Sequence, residues 1–187
     1  MNANEPVNIL LVDDQPAKLL SYEVILRDLG ETLIKASSGR EALEQILRND
    51  IAVVLIDVVM PDLSGFELAA MIRDHPRFHT LSIIFVSAVS VTELDRLKGY
   101  QHGAVDYISV PVVPDLLRAK VKVFAELYRK TRQLERLNIE LERRVAERTG
   151  ALAEANMKLE QRVEERTRER APSYMCRNQP SSSRPSV

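Results

Sequence analysis

The chain has 187 residues, 45% of them hydrophobic and 28% charged, with a formal net charge of -1. That balance is ordinary for a globular protein and gives no reason to expect direct nucleic-acid binding. No apolar run approaches the roughly 18 to 20 residues needed to span a bilayer, no leader-like segment opens the chain, and the one cysteine, Cys176, can form no internal disulfide, so residence in the cytoplasm is expected and no membrane partner.

From Val7 to about Leu117, short apolar runs alternate with helix-like stretches. The runs are VNILLV (7–12), TLIKA (32–36), IAVVLI (51–56), LSIIFV (81–86) and AVDYI (104–108). The third and fourth are nearly continuous in Val, Ile and Leu, the mark of strands buried on both faces of a parallel sheet. Amphipathic segments lie between and after them: Ala17 to Leu29, Gly39 to Arg48, Ser64 to Arg73 and Val91 to Gln101. Strand then helix, repeated, predicts an α/β fold with a doubly wound five-stranded parallel sheet and helices on both faces. Gly30 reads as a C-terminal helix stop, and Ser64 with Glu67 has capping-box spacing. Pro61 fixes its own φ in the loop after the third strand, and Gly65 is expected there to tolerate a left-handed turn.

From about Pro114 to Arg170 the chain has no glycine except Gly150 and dense charge of both signs, which predicts one long helix. Apolar residues recur at Val121, Phe124, Leu127, Leu134, Leu137, Leu141, Val145, Leu152, Leu159 and Val163. NIELERRVAERT (138–149) recurs as NMKLEQRVEERT (156–167), an 18-residue displacement equal to two heptads plus a four-residue stutter. So narrow a stripe asks for a partner helix, hence a homodimeric coiled coil; the bland alternative is a solvated helix held by Glu–Arg pairs. The expected organisation is a domain over 1–125, a coiled-coil helix over 126–170 continuous with the domain's last helix, and a disordered tail over 171–187 with no output-domain pattern.

Ligands of an open parallel sheet bind at the carboxyl ends of its strands. The first run ends in Asp13 and Asp14, the third in Asp57, the fourth in Ser87 and Ala88. Carboxylates gathered at one edge repel unless a cation sits among them, and a hard divalent ion such as Mg2+ suits an all-oxygen site. Each acid alone would more often be a turn, cap or strand-end residue; together they point to a site. His75, His79 and His102 lack Cys or paired acids nearby and read as surface residues.

LLVDDQ (10–15), LIDVVMPDLSGFE (55–67), FVSA (85–88) and GAVDYISVP (103–111), in that order and spacing, resemble the receiver domain of two-component response regulators over about residues 6 to 125. The resemblance implies a flavodoxin-like sheet of order 2-1-3-4-5 and a phosphorelay role. Asp57 would be the phosphoacceptor, taking its phosphoryl group from a histidine kinase or phosphotransfer protein. Asp13, Asp14, Asp57 and the Val59 carbonyl would hold Mg2+, Ser87 would supply the switch hydroxyl, and Tyr107 the aromatic switch. The family's lysine before the proline after strand five is absent: Val110 stands there, ahead of a Val110–Pro111 bond expected to be cis. Val59 and Val89 are placed to exclude water from an acyl phosphate.

Two rivals follow from the same residues. An aspartate-nucleophile phosphatase would need a second acid at position 59 and a lysine; the chain has Val59 and Val110, so it is read as a phosphoacceptor and not a turnover enzyme. A phosphate-independent receiver acting as a dimerisation or docking scaffold is the alternative function.

Overall fold

A computed structural model of the protein describes residues 5–87 and 106–170. The expected helix at 91–101, Ala88, Val89, His102 and the expected disordered tail at 171–187 lie outside the described residues. Within the described residues the chain divides into two compact units, Met1–Leu134 and Glu135–Val187.

The first unit is built on five parallel strands, β1 (Asn8–Val12), β2 (Thr32–Ala36), β3 (Ile51–Asp57), β4 (Ser82–Ser87) and β5 (Asp106–Ser109), in the order β2-β1-β3-β4-β5. The expected sheet and its order are therefore present. Every residue of β3 is buried, as a central strand covered on both faces requires. Its side chains alternate between two apolar clusters: Val54 and Ile56 enter one with Phe85 and Leu68, while Val53 and Leu55 enter the other with Leu19, Leu26 and Val121.

Three short helices follow from local signals. Helix α1 (Pro16–Leu26) opens with proline at its first position, where the missing N–H costs nothing, and tightens into a 3-10 turn at Arg27–Leu29. That turn stops at Gly30, whose φ of 70° is the left-handed conformation of a C-terminal cap. Helix α2 (Gly39–Arg48) is capped by the Ser38 hydroxyl, which accepts the Glu41 N–H. Helix α3 (Gly65–Asp74) carries the expected capping box: Ser64 accepts the Glu67 N–H, and the Glu67 carboxylate accepts the Ser64 N–H.

The expectation for Gly65 is corrected. The left-handed residue of the loop is Asp62, with φ of 67°, and Gly65 has no positive φ. Glycine is required at 65 by close approach: a Cβ there would lie 2.3 Å from the Asp57 carbonyl oxygen and 3.0 Å from Val58 Cα. Helix α3 can thus start directly against the end of β3.

The C-terminal helix is Pro114–Arg170. Its opening turns belong to the first unit, where Leu117, Val121 and Ala125 are buried. Arg129 donates to both carboxylate oxygens of Glu31, at 2.5 and 2.6 Å, and Glu31 also accepts the Val7 N–H. Arg132 pairs with Asp50 at 2.6 Å. These ion pairs hold the helix to the first unit, which ends at Leu134.

In the second unit, Leu137, Leu141, Val145, Leu152, Leu159 and Val163 are each more than half exposed. The helix runs through Gly150 without a break. The sequence repeat is mirrored in the bonding: the Thr149 hydroxyl donates to the Val145 carbonyl and the Thr167 hydroxyl to the Val163 carbonyl. Glu140, Arg143, Arg144 and Glu147 form a surface network of three- and four-residue pairs, each contributing little on an exposed face.

Candidate functional site

Strand register decides which side chains meet. Val12 pairs with Ile56, so Asp13 follows β1 at the level where Asp57 ends β3. Asp57 pairs with Val86, which sets Ser87 one step beyond on β4. The three carboxylates of Asp13, Asp14 and Asp57 offer oxygens within 4.8 Å of one another. The pocket they form lies between β1 and β3, where the strand order reverses.

Burial is deep for such charge: Asp13 is 0%, Ser87 2% and Asp57 4% exposed. Local bonds orient the acids. Asp13 Oδ1 accepts the Gln15 N–H at 2.9 Å, turning the chain into α1, and Asp57 Oδ1 accepts the Val59 N–H at 3.3 Å. Asp14 Oδ1 is buried with no hydrogen-bond partner among the described residues. An orphan carboxylate oxygen beside two other acids has the donor chemistry a hard divalent cation takes, so these residues fit Mg2+.

Burial pushes the Asp13 carboxyl above the ordinary aspartate range; the Gln15 N–H opposes this, the Asp57 charge adds to it, and Lys18 opposes it. Burial and the negative field of Asp13 and Asp57 likewise raise the Tyr22 hydroxyl, which sits 3.5 Å from Asp13 Oδ2. For Lys18, burial works against the ammonium, but the hydrogen bond to Asp57 and the charges of Asp13 and Asp57 outweigh it and leave its pKa raised.

Of the residues singled out from the sequence, Asp13, Asp14 and Asp57 are brought together, with Ser87 at the adjoining strand end. The Val59 side chain is exposed, and its N–H faces Asp57. Tyr107 is half-buried on β5, its ring centroid 5.2 Å from that of Phe85, which in turn packs edge-on against Phe66 at 4.9 Å. The Val110–Pro111 bond is cis, and the Val110 N–H donates to the Ser87 carbonyl at 2.8 Å. One site residue has no counterpart in the sequence reading: Lys18, in the first turn of α1, lies 2.5 Å from Asp57 Oδ2. Its only signal was a cation four residues after Asp14, at the helix end that disfavours positive charge.

A parallel sheet of order 2-1-3-4-5 with an acid pocket at its switch point defines a doubly wound α/β protein of the receiver type. The chain belongs to the response regulator receiver domain family, whose model matches residues 9–122. Response regulator Rre1 of Synechocystis is 34% identical over 119 residues, which cover 63% of this chain and 51% of that protein. The sensor histidine kinase RcsC of Salmonella typhimurium is 34% identical over 131 residues, 70% of this chain and 14% of the kinase. The chain thus spans about half or less of these curated relatives. The crystal structure of a CheY-like response regulator receiver domain protein from Methanospirillum hungatei matches with a TM-score of 0.62 at 28% identity, over 68% of this chain and 99% of that one. Among the described residues no helix is long and apolar enough to cross a membrane.

Proposed function

We propose that the chain takes up a phosphoryl group on Asp57 from a histidine kinase or phosphotransfer protein, and that the change is passed on through C-terminal helices paired between two copies. The observation that carries this is the buried Asp57 carboxylate within 4.8 Å of Asp13 and Asp14. The relative that is itself a sensor histidine kinase supports that class of donor.

Asp13, Asp14, Asp57 and the Val59 carbonyl are the groups that would hold Mg2+. When bound, Mg2+ supplies charge neutralisation for a transferring phosphoryl group. Asp57 is the nucleophile: its oxygen bonds to phosphorus as the donor's phosphorus bond breaks and the electron pair leaves with the donor. The acyl phosphate sets new acceptor oxygens beside Ser87, whose hydroxyl donates to them. Tyr107, its ring tilted against that of Phe85 on β4, is placed to respond as the aromatic switch. No residue at position 59 can act as the second acid of a phosphatase, so hydrolytic turnover of phosphomonoesters is not expected.

Incubation with acetyl phosphate and magnesium tests the reading by intact mass. The wild-type chain is expected to gain about 80 Da, one phosphoryl group, and Asp57→Asn to gain nothing. No mass gain in the wild type sinks it. For the paired helices, the exposed Leu141, Val145, Leu159 and Val163 are the contact residues; a monomer in sedimentation at micromolar concentration refutes that part.

A further inference from the structure

Lys18 occupies the third position of α1, where a positive charge opposes the helix dipole, and α1 has no acidic residue in its first turn to offset it. Its ammonium lies 2.5 Å from Asp57 Oδ2 and 3.5 Å from Asp13 Oδ2, with its side chain 27% exposed. A long side chain that accepts an unfavourable helix position and gives up rotamer freedom is held there by the carboxylates it reaches. On the β4 side of the Asp57 strand, the Val110 N–H donates to the Ser87 carbonyl, so position 110 adjoins the end of β4 and carries no charge there.

We propose that Lys18 is the cationic side chain that acts on the phosphoryl group at Asp57, entering from α1 where position 110 offers only a valine. This rests on Asp57 being the phosphoacceptor. As the Asp57 oxygen bonds to phosphorus, the bond from phosphorus to the acetate oxygen of acetyl phosphate breaks and its electron pair leaves with acetate. The Asp57 carboxylate loses its negative charge, an equal charge departs with acetate, and the phosphoryl oxygens bring their own negative charge to Asp57. The Lys18 N–H groups turn from the neutralised carboxyl group to the phosphoryl oxygens and donate to them, while the ammonium keeps its protons. The ammonium therefore meets the negative phosphoryl oxygens as the group is transferred, an interaction absent from the free chain, and this lowers the barrier.

The same position has a second consequence. An ammonium on Asp57 and Asp13 repels a dication seeking those carboxylates, so Lys18 weakens magnesium binding while it assists transfer. The two effects are separable. Lys18→Gln and Lys18→Met keep most of the stem and remove the charge; Lys18→Arg keeps the charge. Titration calorimetry with magnesium chloride on the full chain is expected to show tighter binding in the two neutral variants. Mass-detected labelling by acetyl phosphate at saturating magnesium is expected to run about tenfold slower in both, less than the hundredfold loss of a buried oxyanion donor because Lys18 is part-exposed. Lys18→Arg is expected to keep most of the rate. Neutral variants that label as fast as the wild type, or faster, at saturating magnesium overturn the proposal while leaving Asp57 as phosphoacceptor; a wild type that gains no mass brings down both.

Discussion

Strand β3 and the helical segment after Leu134 are both punctuated by valine and leucine, yet β3 is buried at every residue and the helix leaves Leu137, Leu141 and Val145 more than half exposed. The difference is where the covering surface comes from. β3 is flanked by β1 and β4 and covered by helices of its own chain, so its apolar side chains are satisfied by neighbours within the first unit. The repeat has charged partners along its own surface, and among the described residues its apolar stripe stays exposed. Burial is a property of the pair of surfaces, not of the residue.

One substitution type placed in each region sharpens this contrast. Ile56→Ala, in a fully buried strand position, is expected to cost about 4 kcal/mol in chemical denaturation of the first unit. Leu141→Ala is expected to leave that transition unmoved and to weaken self-association in sedimentation instead. A large loss of unfolding free energy from Leu141→Ala would mean the stripe is already covered within one chain.

Gly65→Ala probes the seam between strand and helix. Its added Cβ, 2.3 Å from the Asp57 carbonyl oxygen, forces either β3 or α3 to shift. A loss of about 2–3 kcal/mol is expected, the upper part of the usual range for overpacking, with slower acetyl phosphate labelling because Asp57 moves with its backbone. An unchanged labelling rate would show that Asp57 is insulated from the seam.

A smaller effect is expected at the α3 cap. Ser64→Ala is expected to cost about 1 kcal/mol by loss of the N-cap bond. Hydrogen bonds from Ser64 hold Glu67 below the ordinary glutamate pKa. A depressed carboxyl stabilises the fold above its unfolded pKa and loses that contribution as pH falls through the folded value. The gap between the wild-type and Ser64→Ala melting temperatures is therefore expected to narrow on acidification below the glutamate range, without closing because the N-cap bond does not titrate; a constant gap would refute the reciprocal bond.

Much of the fold was legible because local signals and tertiary demand agree. β2 at Thr32–Ala36 and α2 at Gly39–Arg48 have the bounds the pattern predicts, and Ser64 caps α3 as its spacing to Glu67 implies. α1 ends earlier than the apolar period suggests because its last turn tightens before Gly30. The acids of the site were legible as strand-end residues. Lys18 was not, because only the approach of α1 to β3 shows that its stem reaches Asp57. Gly65 was legible as a constraint but not for the right reason: its neighbour in space, Asp57, is eight positions away in the chain.

The threonine bonds at Thr149 and Thr167 mark equivalent points of the two repeats, 18 residues apart. At 3.6 residues per turn that interval is five whole turns, so the second copy shows the same bearing around the axis as the first, about 27 Å further along. Any molecule that grips the shared residues of one copy meets the same residue types at a single stride, with no rotation to accommodate. A ligand with two arms of that reach would bind with the gain of raised local concentration.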